Sequence, residues 1–269
     1  MESMFDSEVP VLQGLAPWIG GKRALAKRIV RKITAIPHQL YAEPFVGMGG
    51  VFLRRPQRPD AEIINDASGD VTNAFRIVKH HPSPLFDELA GIVASRAEFT
   101  RQRAVPPETL TDIQRAARFL FLQYAGFGGK VQGQAFGVST VGRQGFHPAR
   151  ITATLEPIAK RLAGVTIEGL DFGEFITRYD RSYTLFYCDP PYIGCERDYG
   201  DHFSPADHRR LADHLGGIQG AFILSINDHP LARELYDRFN LTEVTLSYTI
   251  AGTAEARGVE RPELIISNR

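Results

Sequence analysis

The chain has 269 residues, 43% of them hydrophobic, with 31 basic and 31 acidic side chains that cancel to no formal net charge. That composition supports one large domain, or one domain carrying an insertion, and excludes wholesale disorder. No apolar run reaches the roughly 18 residues of a membrane span, the acidic start MESMFDSEVP lacks a secretory pattern, and Cys188 and Cys195 are too few for a disulfide framework and lack metal-ligand spacing with histidine; a cytoplasmic protein without membrane partner or structural metal is expected, and nothing points to an obligate protein partner.

In chain order, the first distinctive segment is basic. Residues 20–32 hold Lys22, Arg23, Lys27, Arg28, Arg31 and Lys32 and no acid, and a Gly-Gly-Lys turn opens a helix there. A strand over 40–45 runs into the glycine-rich turn 46–50, and a second strand over 61–66 ends in Asn65 and Asp66. Val71, Ala74, Phe75 and Val78 then recur at i, i+3, i+4 and i+7, the stripe of an amphipathic helix that Asp70 is placed to cap. From about 80 to 150 the pattern changes to helices at 84–96 and 112–125 and an exposed Gly-, Gln- and Phe-rich loop at 126–147. Strands follow at 165–170, 183–188, 221–226, 241–248 and 263–267, interleaved with helices at 173–179, 205–215 and 230–239. Such alternation predicts an α/β fold, a doubly wound, mostly parallel sheet covered on both faces, with an inserted helical and loop segment. The stretch 249–261 allows an antiparallel hairpin at the sheet edge. Charge is uneven along this order. Residues 113–161 carry seven Lys or Arg against Glu156 alone, whereas from Leu162 onward there are 17 acids and 10 bases. This asymmetry suits a phosphate-tracking face.

The strongest local signal is Tyr187-Cys188-Asp189-Pro190-Pro191-Tyr192 after an apolar strand. Two prolines cannot continue a ladder, so a rigid turn places Asp189 at the strand end, where ligands bind in doubly wound sheets. Such a loop suits an exocyclic amine: Asp189 accepts one N–H, the Pro190 carbonyl accepts the other, and Tyr192 offers a stacking face. A conjugated amine is a poor nucleophile. Two acceptors that hold its hydrogens let the lone pair rehybridise toward a methyl donor, so positioning and charge placement carry the chemistry.

DPPY at 189–192, with Glu43-Pro44-Phe45-Val46-Gly47-Met48-Gly49 upstream, resembles the amino-methyltransferases of DNA, and particularly the Dam-like DNA adenine methylases. Pro17-Trp18-Ile19-Gly20-Gly21-Lys22, Asn65-Asp66 with Asp70 and Asn73, residues 119–127, Ser225-Ile226-Asn227-Asp228 and Glu263-Leu264-Ile265-Ile266 fit the same order. The resemblance implies a Rossmann-like methyltransferase domain, 1–79 and 151–269, interrupted by a target-recognition domain at 80–150. It implies adenine-N6 methylation of double-stranded DNA with S-adenosyl-L-methionine and no metal. It also implies catalytic Asp189, Pro190, Pro191 and Tyr192, a cofactor site of Trp18, Lys22, Phe45, Gly47, Gly49, Asp66, Asp171, Phe172 and Asp189, and DNA contacts from Gln123, Phe127, Lys130 and Arg143. Within that site Asp66 suits the ribose hydroxyls, and Lys22 suits the cofactor carboxylate. Cytosine-N4 methylation, adenine methylation of RNA and a silent nucleic-acid-binding fold are the alternatives. The chain departs from the family in the DNA-reading segment, where Gly128-Gly129-Lys130 and Phe136-Gly137-Val138-Ser139-Thr140 replace the usual asparagine and Phe-Asn-x-Pro stretch. GATC recognition is therefore not carried over.

Overall fold

The computed structural model describes residues 7–18, 25–129, 133–137, 145–194, 203–249 and 257–269. Nine strands are described: β1 (Ser7–Glu8), β2 (Leu40–Glu43), β3 (Gln57–Arg58), β4 (Ala61–Asn65), β5 (Thr166–Glu168), β6 (Thr184–Cys188), β7 (Ala221–Asn227), β8 (Asn240–Thr249) and β9 (Arg257–Ser267). The described helices are α1 (Ala26–Ala35), α2 (Gly69–His80), α3 (Pro82–Gly91), α4 (Arg96–Ala104), α5 (Asp112–Ala125), α6 (Pro148–Arg161), α7 (Phe172–Tyr179), α8 (Pro205–Gly217) and α9 (Pro230–Leu235).

Seven strands form one sheet in the order β5-β4-β2-β6-β7-β9-β8, while β1 and β3 pair separately. From β5 to β7 all neighbours are parallel, and β9 alone runs antiparallel to both its neighbours. The expected hairpin exists, but its second strand inserts between β7 and β8, so β8 forms the edge. Alternation along the strands separates two cores. Tyr41, Ile64, Leu185, Tyr187 and Ile223 pack with α1, α2, α3, α5 and α6 on one face. Leu40, Ala42, Ile63, Phe186, Phe222 and Leu224 pack with α7, α8 and α9 on the other. Leu85, Leu89, Phe99 and Phe121 of the segment 80–150 belong to the first of these clusters rather than to a core of their own.

Local differences have physical reasons. The Ser68 side chain, not Asp70, caps α2 by accepting from Val71 N. Asp70 lies in the first turn and accepts from Arg115 Nε at 2.5 Å. The helix expected at 84–96 is α3, which already ends at Gly91 with Ile92 extended, and Ser95 then starts a separate helix, α4, by accepting from Glu98 N. Pro148 and Pro157 hide α6 from a reading of breakers. Pro148 occupies the first turn, where a missing N–H costs nothing, and Ile151, Leu155 and Ile158 form the buried stripe.

Candidate active site

Parallel strands bring their carboxyl ends to one side, and there β2, β4 and β6 open onto a cleft of about 1060 Å³. Its lining includes Glu43, Phe45, Gly47, Asp66, Asp189 and Pro190, joined by Trp18 from the N-terminal segment and Tyr124 from α5. Asn65, 1% exposed, stitches the floor. Its amide donates to Pro44 O at 3.0 Å and Leu170 O at 3.1 Å, and its Oδ1 accepts from Leu170 N at 2.8 Å. The loops after β2 and β5 are thereby fixed to the end of β4.

Asp66 follows on the same strand end. Its carboxylate accepts from Gly47 N and Ser68 N, each at 2.9 Å. Desolvation in the cleft outweighs these donors and pushes its pKa up to about 6. Gly47 has φ +49, a conformation that favours glycine, and a Cβ there would press on the indole at 3.0 Å from Trp18 Nε1. Glu43 is buried and accepts from the Tyr41 hydroxyl at 2.9 Å. Burial holds its carboxyl well above the usual range, against the Tyr41 bond, and the neighbouring charges of Asp189 and Asp66 push the same way. Three carboxyl groups therefore crowd the floor. An electron-poor or cationic group is the ligand that relieves them.

Asp189 is half-buried at the end of β6, where its Oδ1 accepts from the Ser225 hydroxyl at 3.0 Å. Pro190 and Pro191 line the cleft beside it. Tyr192 is partly exposed and packs against the cluster on the α7 and α8 face. An aromatic wall closes another side. Phe45 and Phe172 have ring centroids 5.5 Å apart, Phe45 and Phe203 5.6 Å, and Phe172 and Phe203 5.4 Å.

Asp171 borders this wall but is already engaged. It caps α7 through Gly173 N at 2.9 Å, and Arg210 donates to both its oxygens at 2.8 Å. The Arg210 pairing holds the carboxyl below its usual range, and the same guanidinium lies 4.0 Å from the Phe172 centroid. Sequence reasoning missed Arg210 and Phe203, and it placed Ser225 and Asn65 in motifs without seeing what their side chains hold. Asp171 and Arg210 stand 39 residues apart, and no local spacing joins them.

The expected DNA contacts divide. Phe127 is 57% exposed at the rim, next to cleft-lining Gly128. Gln123 is 1% exposed within α5 and is a core residue, so its expected base contact is not carried forward. Lys22, Lys130 and Arg143 lie outside the described residues. Of the bases in 113–161, Arg115 is spent on Asp70, Arg118 donates to Gln102 O and Arg103 O, and Arg161 is buried against Glu62. Lys27, Arg28 and Arg31 are exposed on α1.

The family model for D12 class N6 adenine-specific DNA methyltransferases matches residues 18–250. The chain is 25% identical to the type II methyltransferase M1.LlaDCHI of Lactococcus lactis subsp. cremoris over 96% of this chain and 95% of that protein. It is 26% identical to the DNA N-6-adenine-methyltransferase of Escherichia phage P1, over 90% of this chain and 34% of the phage protein. Among solved structures, the SAM-dependent methyltransferase from Agrobacterium tumefaciens superposes at a TM-score of 0.45 with 9% identity, covering 100% of this chain and 71% of that one.

Proposed function

The chain belongs to the D12 class of N6 adenine-specific DNA methyltransferases, and from that premise we propose that its cleft binds S-adenosyl-L-methionine and a flipped-out adenine of double-stranded DNA side by side. The observation that carries this reading is the convergence of Asp66, Gly47, Asp189 and Pro190 on one cleft at the ends of β4, β2 and β6.

The residues suit the cofactor. Asp66 is placed for the ribose hydroxyls, the Phe45 and Phe172 rings for a purine face, and the acidic floor for a sulfonium and an ammonium group. When bound, the cofactor supplies a methyl group on a positively charged sulfur. The chain's own work is orientation. Asp189 and the Pro190 carbonyl accept the two hydrogens of the adenine amine, which frees its lone pair, and the Pro190-Pro191 turn keeps those acceptors in place during the reaction. Tyr192 is the candidate stacking surface, and Phe127 at the rim is the candidate surface contact with DNA. An amine inside a duplex stack cannot reach this depth, so the base must be extruded. With no base-reading side chain at Gly128 or Gly129, we infer selectivity looser than, or different from, GATC.

The test is transfer of labelled methyl from S-adenosyl-L-methionine to duplex DNA, followed by nucleoside analysis. N6-methyladenine from the native chain and none from Asp189→Ala is the expected result. Near-native turnover in Asp189→Ala, or N4-methylcytosine as product, overturns the reading.

A further inference from the structure

The loop after β6 is fastened at both ends by the strand beside it. Ser225 and Asn227 stand two residues apart on β7 and so project to the same side of the sheet. Ser225 is completely buried and donates to Asp189 Oδ1 at 3.0 Å. Tyr187, equally buried and two residues before Asp189, has its hydroxyl 2.8 Å from Ser225 Oγ. A serine hydroxyl carries one hydrogen. With that hydrogen given to Asp189, Tyr187 must donate in turn, and the chain of donation runs Tyr187 to Ser225 to Asp189. Burial pushes the Tyr187 phenol well above its usual range, so it keeps its proton. At the other end, Ile193 N donates to Asn227 Oδ1 and Asn227 Nδ2 donates to Ile193 O, both at 3.0 Å. Pro190 and Pro191 have no N–H to continue the β6–β7 ladder, and side chains of β7 take over where the backbone pairing stops.

We propose that Ser225, backed by Tyr187, is a positioning residue for methyl transfer: it sets the orientation of the Asp189 carboxylate and favours its ionised, accepting form. The proposal rests on the assignment of Asp189 as the amine acceptor. Among the described residues, Glu43 at the end of β2 and Tyr187 and Cys188 on β6 couple electrostatically to Asp189, and Asp66 at the end of β4 couples to Glu43.

Steady-state kinetics with duplex DNA across a pH series tests this in the full chain. Ser225→Ala should lower kcat about 10- to 100-fold, the scale of one hydrogen bond to a charged acceptor, with the KM for S-adenosyl-L-methionine within about twofold of native. Its acid limb should move to higher pH, because the ionised carboxylate has lost a donor. Ser225→Thr keeps the hydroxyl and should recover much of the rate. Tyr187→Phe should shift the same limb in the same direction by less, and it carries the test if Ser225→Ala does not fold. In an Asp189→Asn background, adding Ser225→Ala should change little. An unshifted pH profile in both Ser225→Ala and Tyr187→Phe overturns the proposal, as does an equally large loss in the Asp189→Asn background. Native turnover in Asp189→Asn alone instead overturns the assignment of Asp189.

Discussion

Asp66 ties a strand end to the proposed cofactor site through a single side chain. Two backbone amides hold its oxygens, yet desolvation leaves the group titrating at about 6, within reach of ordinary conditions. A carboxyl raised this way is half protonated in the free protein near pH 6. Hydroxyl donors of a bound ribose favour the ionised form, so binding should expel a proton there. The sign follows: affinity for S-adenosyl-L-methionine is full above about pH 7 and falls as pH drops through 6. Calorimetry at pH 6 in buffers of different ionisation enthalpy should detect proton release. Asp66→Ala should weaken binding by roughly 1.5–3 kcal/mol, the scale of hydrogen bonds to a charged group, and should flatten the dependence. Native affinity in Asp66→Ala would show that the ribose site lies elsewhere. Glu43 differs in kind, since it is buried against Tyr41, whose hydroxyl it accepts from, and burial holds its pKa well above the usual range.

At the scale of elements, the end of α5 is clasped to the N-terminal segment. The Tyr124 hydroxyl donates to Leu15 O at 2.7 Å, and the Trp18 indole meets the Phe119 ring edge-on at 6.3 Å. Gly129 completes the seam. It has φ +65, and a Cβ would stand 2.8 Å from Trp18 N and 2.9 Å from Pro17 C, whereas Gly128, with φ +75, has nothing within 4 Å. Each substitution to alanine costs roughly 1–2 kcal/mol for the left-handed backbone. Gly129→Ala should lose about 1–3 kcal/mol more, because backbone cannot yield as a flexible side chain can. Urea denaturation of the pair measures the difference; equal losses would show that the seam is loose. This seam was invisible in the sequence, where the two glycines read only as a missing side chain. Elements whose signal is local were legible: the stripe of Val71, Ala74, Phe75 and Val78 lies on α2, Asp112–Ala125 is α5, and the alternating strands form the expected sheet. The placement of Asp66 and Asp189 at strand ends followed from the same alternation. Partnerships between segments, such as Asp171 with Arg210 or Asn65 with Leu170, depend on which loops the sheet order brings together, and no periodicity reports that.

Across the whole molecule, balanced charge divides into internal and external use. Glu62 is fully buried on β4 and holds Arg55 at 2.8 Å and Arg161 of α6 at 2.6 Å, both arginines also buried. This cluster ties α6 to the sheet. Glu62→Gln should destabilise the protein by about 3–5 kcal/mol, because two buried guanidinium groups lose their counter-charge, and thermal unfolding near the native midpoint would contradict that. Since these arginines serve the fold, the surface left for DNA is narrower than the raw count of bases implies. Base readout needs side chains that present paired donors and acceptors to a groove edge. Gln123 and Gln134 are 1% and 7% exposed, and Gly128 and Gly129 offer only backbone. What the described rim presents is the exposed Phe127 ring, a face of the kind that can stack on any base, while the basic face of α1 with Lys27, Arg28 and Arg31 suits phosphates, which position a protein without reading sequence. Affinity should then fall linearly with salt on logarithmic axes and differ little among duplexes. Expressed in a host that lacks adenine methylation, the enzyme should modify adenines in a broad spread of contexts when the DNA is sequenced for N6-methyladenine. Modification confined to GATC would show instead that readers outside the described residues, where Lys130, Gln132 and Arg143 lie, dominate recognition.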